Sequence, residues 1–261
     1  MNYLFISKKG GVKKTTTTLS VATIKSAIHG QNNLAIDLDD IHSLTNRVKK
    51  QGTEFHNEGS TYHIIMNNGE LEPQESSIFN LSLWPSVTAL AEVERVLNRN
   101  EFDGDDTKFF RLKNKLDPIK DRFDNVFIDV APDLESICTI NGIVAADRIV
   151  ILSGPSVDDT ETLKEAVQKL NEYKQRFNLT FEILCILLTG TKFNKAYQTE
   201  SDRAIERIKS DPELAQYLSE ISIPDNSSVI NAAGASRNLI QSYQGSSARQ
   251  KYIDWTEKYI P

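Results

Sequence analysis

Ser7-Lys8-Lys9-Gly10-Gly11-Val12-Lys13-Lys14-Thr15-Thr16 gathers lysines, adjacent glycines and hydroxyls into one short stretch. The chemistry open to these residue types is the holding of polyphosphate. A glycine turn lets backbone N–H groups point inward, and a helix that starts there adds the partial positive charge of its N-terminus. Lys14 would then reach the β- and γ-phosphates of a nucleotide, and the Thr15 hydroxyl would sit on Mg²⁺. Two positions depart from the usual phosphate-loop pattern. Lys13 stands where glycine normally precedes the Lys-Thr pair, and Lys8 occupies the position six places before Lys14. Glycine at such a place permits positive φ. A left-handed Lys13 costs roughly 1–2 kcal/mol, and its side chain either points to solvent or adds positive charge near phosphate. Nucleotide binding is expected to survive in weakened form.

Carboxylates at strand ends supply the second half of this chemistry. Asp37 and Asp39 close the apolar segment that begins at Asn33, and Asp129 closes Val126-Phe127-Ile128. A carboxylate placed like Asp129 can hold Mg²⁺ through water. The histidines His29, His42, His56 and His63 show no ligand spacing with cysteine or with one another.

Positioning these groups requires strands that end beside the loop. Tyr3–Ile6 reads as a buried strand, and Leu19, Ala22, Thr23 and Ala27 place a helix over Thr17–Ala27, stopped by Gly30. Further strands are predicted at 33–39, 78–84, 126–130, 148–152, 181–188 and 221–223. The segment 181–188 is the most apolar and is expected at the centre of the sheet. Helices are predicted at 109–119, 160–177 with Asp158 or Asp159 as N-cap, 196–210 and 248–260. Strands alternating with helices predict a doubly wound, mostly parallel sheet flanked by helices, within one domain spanning 1–261.

The chain has 261 residues, of which 39% are hydrophobic and 25% charged, values that suit a globular fold with a sizeable core. A formal charge of −6 excludes a bulk polycation, so any nucleic-acid contact needs a local patch. Cys138 and Cys185 lie in or beside apolar runs and read as reduced packing residues of a cytoplasmic chain. No apolar run approaches the ~20 residues of a membrane span, and the first residues enter a strand rather than a leader peptide.

Lys9-Gly10-Gly11-x-x-Lys14-Thr15 resembles the deviant Walker A box of the ParA/MinD family of ATPases, whose signature lysine precedes the two glycines. Asp37-Leu38-Asp39 resembles the family's Asp-x-Asp-Pro-Gln segment, with Asp40 and Ile41 in place of Pro and Gln. Asp129-Val130-Ala131-Pro132 is similar to its Asp-Thr-Pro-Pro segment, differing in the middle two positions. The resemblance spans about Leu4 to Leu239 and is of the short ParA type. It implies a P-loop fold with ATP and Mg²⁺ as cofactors. Nucleotide would be held by Lys9, Gly10, Gly11, Val12, Lys13, Lys14, Thr15 and Thr16, with Ile223 and Pro224 against the adenine. Thr15 and Asp129 would take the metal. Asp39 would act on the attacking water, and Lys9 would reach the phosphates of a second subunit in an ATP-dependent homodimer.

It further implies non-specific DNA binding through Lys192, Lys195, Arg203, Arg207 and Arg237, and association with the nucleoid in the ATP state. A ParB-like or adaptor partner would stimulate slow hydrolysis, and the cargo would be a plasmid, a chromosome or a protein organelle. Two alternatives stand beside this one: a nucleotide-binding scaffold with little hydrolysis, and a MinD-like membrane-cycling ATPase. The MinD branch uses a basic C-terminal amphipathic helix. Here Ala248, Tyr252, Trp255 and Tyr259 form a stripe whose flanking charges nearly balance, so the helix is expected to dock on the protein body.

Overall fold

The computed structural model describes residues 1–98, 104–191, 195–225, 240 and 246–261. Among them the strands are β1 (Asn2–Ile6), β2 (Asn33–Leu38), β3 (Gln74–Glu75), β4 (Leu81–Trp84), β5 (Asn125–Val130), β6 (Arg148–Ser153), β7 (Glu182–Thr191) and β8 (Ile223–Pro224). They form a single sheet in the order β3-β4-β2-β5-β1-β6-β7-β8. All pairings are parallel except β3 with β4.

β1 lies between β5 and β6 and is buried along its whole length. Its alternate residues serve two cores, as the period of a strand demands. Tyr3 and Phe5 face a layer shared with α1 (Lys14–Thr23), α2 (Ser43–Val48) and α10 (Ser247–Tyr259). Leu4 and Ile6 face the opposite layer. That layer holds α3 (Thr61–Asn67), α4 (Val93–Leu97), α5 (Arg111–Leu116), α6 (Ile137–Ala145), α7 (Val157–Arg176), α8 (Lys195–Ser210) and α9 (Pro212–Ala215). Helices on both faces explain why the inner strands read as nearly continuous apolar runs. Because β5 and β6 flank β1, the chain leaves these parallel strands at their carboxyl ends on either side of one crevice, where ligands bind in open α/β sheets.

Three expectations are corrected. β7 is the next-to-last strand rather than the central one, with only the two-residue β8 beyond it. Its apolar run reflects cover on both faces and not position in the order. The N-cap of α7 is Ser156, whose hydroxyl accepts from Asp159 N–H, and Asp158 and Asp159 occupy the first turn. The first helix is α-helical only from Lys14 to Thr23 and then widens into a π turn, Ile24–Ile28. There the buried Lys25 donates to the Ile260 carbonyl at 2.9 Å. Gly30, at φ 73°, then turns the chain toward β2.

α10 docks as its stripe predicts. Ala248, Tyr252 and Trp255 are fully buried, and the hydroxyls of Tyr252 and Thr17 lie 3.0 Å apart. Among the described residues no helix is long and apolar enough to cross a membrane.

Candidate functional site

The turn after β1 carries Gly11 at φ 83° and Lys13 at φ 60°. A Cβ at Gly10 or Gly11 would meet no atom within 4 Å, so their backbone borders open space. The first helical hydrogen bond runs from Thr17 N–H to the Lys13 carbonyl. The N–H groups of Lys14, Thr15 and Thr16 therefore have no intrahelical partner, as at every helix start. They border a cavity of about 380 Å³ lined by Lys9 to Thr16 together with Asp39, Ile41, Ser43, Arg47 and Pro132. A loop of unpaired N–H groups, lysines and a helix N-terminus is a polyphosphate cradle.

Asp129 is the hub beneath it. Strand β5 carries it beside β1, and it is fully buried. Thr15 Oγ1 donates to Asp129 Oδ2 at 2.6 Å, and Thr18 Oγ1 donates to Oδ1 at 3.2 Å. Lys14 Nζ lies 3.3 Å from Oδ1. Lys14, Thr15 and Asp129 are the groups the sequence predicts for phosphate and metal, brought together from positions more than a hundred residues apart, and Thr18 joins them. The donor set of one hydroxyl and one carboxylate, next to an anion cradle, suits a hard divalent cation that retains water and takes phosphate oxygens.

Asp37 and Asp39 come to the same edge by different means. Asp37 is the register partner of Asp129 across β2 and β5, and it is also fully buried. Burial and the Asp129 charge push its carboxyl up to about 7, against the lowering effect of hydrogen bonds from Thr45 and Asp39. Thr45 donates both its N–H and its hydroxyl to Asp37 Oδ2 at 2.8 Å, and Asp39 N–H donates to Oδ1. Asp37 thus anchors α2, while Asp39 turns outward to line the cavity. Asp39 Oδ1 accepts from Ile41 N–H at 3.0 Å, which fixes its orientation.

The lysines around the cavity each find a carboxylate. Lys9 Nζ lies 3.8 Å from Asp159 and 4.0 Å from Asp158, at the start of α7. Lys8 pairs with Glu165 on the same helix. Of the two orientations expected for it, Lys13 does not point to solvent; it lines the cavity, where its charge is met by a carboxylate. Its side chain is mostly buried and its Nζ lies 2.9 Å from Asp225 Oδ1, just past β8.

Other predicted residues lie apart from this group. Ile223 is fully buried in the core shared with α1 and α10, so its side chain offers no surface to a base; Pro224 is buried as well. Lys192 and Arg237 lie outside the described residues, and Lys195 opens α8. Arg203 is exposed on α8. Arg207 donates to the Val157 carbonyl and to Thr160 Oγ1, each at 3.3 Å, which ties α8 to α7. Sequence reasoning missed Thr18, Thr45 and Arg47. The helical spacing of Thr18 from Lys14 could have found the first; the other two reach the site only through tertiary packing.

The profile of a family described as an AAA domain matches residues 3–183. An uncharacterized protein of Pseudomonas putida is 30% identical over 190 residues, 72% of this chain and 68% of its own. The sporulation initiation inhibitor protein Soj of Bacillus subtilis is 26% identical, over 70% of each chain. The chromosome partitioning protein ParA of Myxococcus xanthus is 28% identical, over 74% of this chain and 66% of its own. Among solved structures, apo McdA of Cyanothece superposes with a TM-score of 0.83 at 23% identity, covering 100% of this chain and 99% of that one. A putative plasmid partition protein of Borrelia burgdorferi bound to AMPPNP gives 0.77 at 21% identity, covering 99% of each. A cobyrinic acid a,c-diamide synthase of Mycobacterium smegmatis, with an ATP analogue and magnesium, gives 0.78 at 20% identity, covering 98% of this chain and 92% of that one. At these identities the structural likeness is one of fold. The matched segment contains the cradle, Asp39 and Asp129, and this chain belongs to the AAA domain family and, with its Soj and ParA relatives, to the ParA/MinD family of partition ATPases.

Proposed function

We propose that this chain is a ParA-like ATPase that dimerises with ATP, binds DNA without sequence preference, and positions a cargo with a ParB-like or adaptor partner. The observation that carries the reading is the convergence of Lys14, Thr15 and Thr18 on Asp129 beneath an open glycine turn. Thr15 and Asp129 would hold Mg²⁺, which neutralises charge on the phosphates when bound. Lys14 supplies charge to the phosphates, and the N–H groups at the start of α1 orient them. Asp39, held by Ile41 N–H, is the carboxylate placed to orient an attacking water.

Lys9 sits on the rim, a third exposed, and its ion pairs are long. Such a side chain is free to leave them for the phosphates of a second subunit. The Borrelia and Mycobacterium neighbours were solved with an ATP analogue, in the second case with magnesium, and this supports ATP with Mg²⁺ as the ligand here. The membrane-cycling alternative gains nothing from α10, whose apolar stripe is already buried against α1.

Light scattering with and without MgATP tests the dimer. Wild type should double in mass with ATP, and Lys9→Ala should bind ATP yet remain monomeric. A Lys9→Ala protein that dimerises normally would remove the trans role. DNA binding is tested on random duplex across a salt series, where affinity should need ATP and fall steeply with salt. Arg203→Ala should weaken it for every sequence alike, because phosphates carry no base information. Wild type that ignores DNA in the ATP state would favour the scaffold reading.

A further inference from the structure

Arg47 is the cavity residue that neither the sequence pattern nor the site described above employs. It lies in the last turn of α2, partly buried, and Nη1 donates to Thr16 Oγ1 at 3.1 Å. The cavity's other cations each have a carboxylate within 4.0 Å: Lys9 has Asp158 and Asp159, Lys13 has Asp225, and Lys14 has Asp129. Among the described residues Arg47 has none, and its one protein acceptor is a neutral hydroxyl. A guanidinium carries several N–H donors in a planar fork that matches phosphate oxygens. Burial works against its charge, and the compensation comes from Asp129, which lies beyond ion-pair distance and is already engaged by Lys14, Thr15 and Thr18; a partly buried cation so placed gains when an anion joins it.

The helix that presents Arg47 is fixed in place. Leu44 and Val48 are fully buried, and Thr45 is bound to Asp37 by both its N–H and its hydroxyl. Ser86 N–H in turn donates to Thr45 Oγ1 at 2.9 Å. The guanidinium is therefore held over the cradle by a rigid support.

We propose that Arg47 is a phosphate ligand of this site and that it binds the phosphate nearest the sugar. The inference rests on the nucleotide reading of the cavity. Lys14 and Thr15 converge on Asp129, which marks the end of the cradle that takes the metal and the terminal phosphates. Successive helical residues diverge around the axis, and the Thr16 hydroxyl meets Arg47 rather than Asp129. Thr16 and Arg47 thus mark a second pole of the same cradle. A nucleotide whose β- and γ-phosphates lie over Lys14 presents its α-phosphate there. Arg47 consequently holds ADP and ATP alike, in contrast to Lys14, whose charge serves the terminal phosphates. Through Thr45 and Asp37 the same residue links occupancy of the α-phosphate position to the segment that carries Asp39.

The test is calorimetric titration of the full chain with MgATP and MgADP, using wild type, Arg47→Ala and Arg47→Lys, together with ³¹P spectra of bound ADP. Failure of wild type to bind either nucleotide would overturn the nucleotide reading itself. With wild-type binding established, Arg47→Ala should weaken both nucleotides by about tenfold, the scale of a charge-assisted hydrogen bond. Arg47→Lys should recover part of that loss, since it restores charge without the fork. The α-phosphorus resonance should move in both variants while the β-phosphorus resonance stays. Unchanged affinities overturn the proposal. So does a loss confined to ATP, which places the guanidinium at the terminal phosphate. A loss of affinity with an unmoved α-phosphorus signal assigns Arg47 to structure alone and overturns it equally.

Discussion

Lys13 brings a backbone cost and an ion pair into the phosphate loop, and two substitutions separate them. Its φ of 60° and ψ of 29° lie in the left-handed region. A non-glycine residue there costs roughly 1–2 kcal/mol. The Lys13–Asp225 pair offsets part of this. With both side chains about four-fifths buried, at 18% and 25% exposure, it should contribute near the upper end of the ~0.2–1 kcal/mol measured for exposed pairs. Lys13→Ala loses the pair and keeps the left-handed cost, so it should destabilise by about 1 kcal/mol. Lys13→Gly loses the pair but sheds the backbone cost, at the expense of roughly 0.5–1 kcal/mol of extra chain entropy in the unfolded state. The glycine variant should therefore be more stable than the alanine variant by about 0.5–1 kcal/mol, or about 1–4 °C in melting temperature for a chain of this size. Thermal unfolding of the three proteins in one buffer reads this directly. An alanine variant that melts with or above the glycine variant would show that the left-handed turn carries no penalty, and the reasoning would fail. The same pair predicts opposite effects on nucleotide. Asp225→Asn leaves Lys13 unneutralised beside the cradle and should tighten ATP binding, whereas Lys13→Ala leaves Asp225 there and should weaken it.

Lys14→Ala should abolish ATP binding by calorimetry, since it removes the buried cation that faces Asp129; retained affinity would sink the cradle assignment. Asp39→Ala should keep MgATP bound and stop phosphate release, trapping the dimer, whereas loss of binding would move Asp39 into the metal's coordination shell. Asp37 makes stability depend on pH. Its folded value of about 7 lies above the ordinary 3.8, so between these values the folded chain holds a proton that the unfolded chain has released. Its contribution is fully present below pH 4 and is lost as pH rises through 7, with a ceiling of about 4 kcal/mol. Urea unfolding of Asp37→Asn should lack this slope, and an identical slope in both proteins would assign it to other groups.

The sequence by itself determined what is local. Strand, glycine turn and helix are written within Asn2–Thr23 because hydrophobic period, glycine chemistry and helix start are short-range properties. The spacing of Lys9, Lys14 and Thr15 is fixed by the same turn. The strand-end positions of Asp39 and Asp129 were legible for the same reason, as apolar runs that stop at a carboxylate. Tertiary structure alone decided what those groups meet. Nothing in its neighbourhood tells that Asp129 accepts from Thr15 and Thr18, or that Asp37 lies opposite it on the adjacent strand. Strand order governs both contacts, and an apolar run states that a strand is covered without stating its place, as β7 showed. Lys13 is the sharpest case. Its left-handed backbone was open to anticipation from the missing glycine, but its partner Asp225 stands at the far end of the sheet order and is brought to the loop only by β8 packing on β7. Side chains choose partners by proximity after folding, and proximity across a sheet is a property of the topology and not of any local stretch of chain.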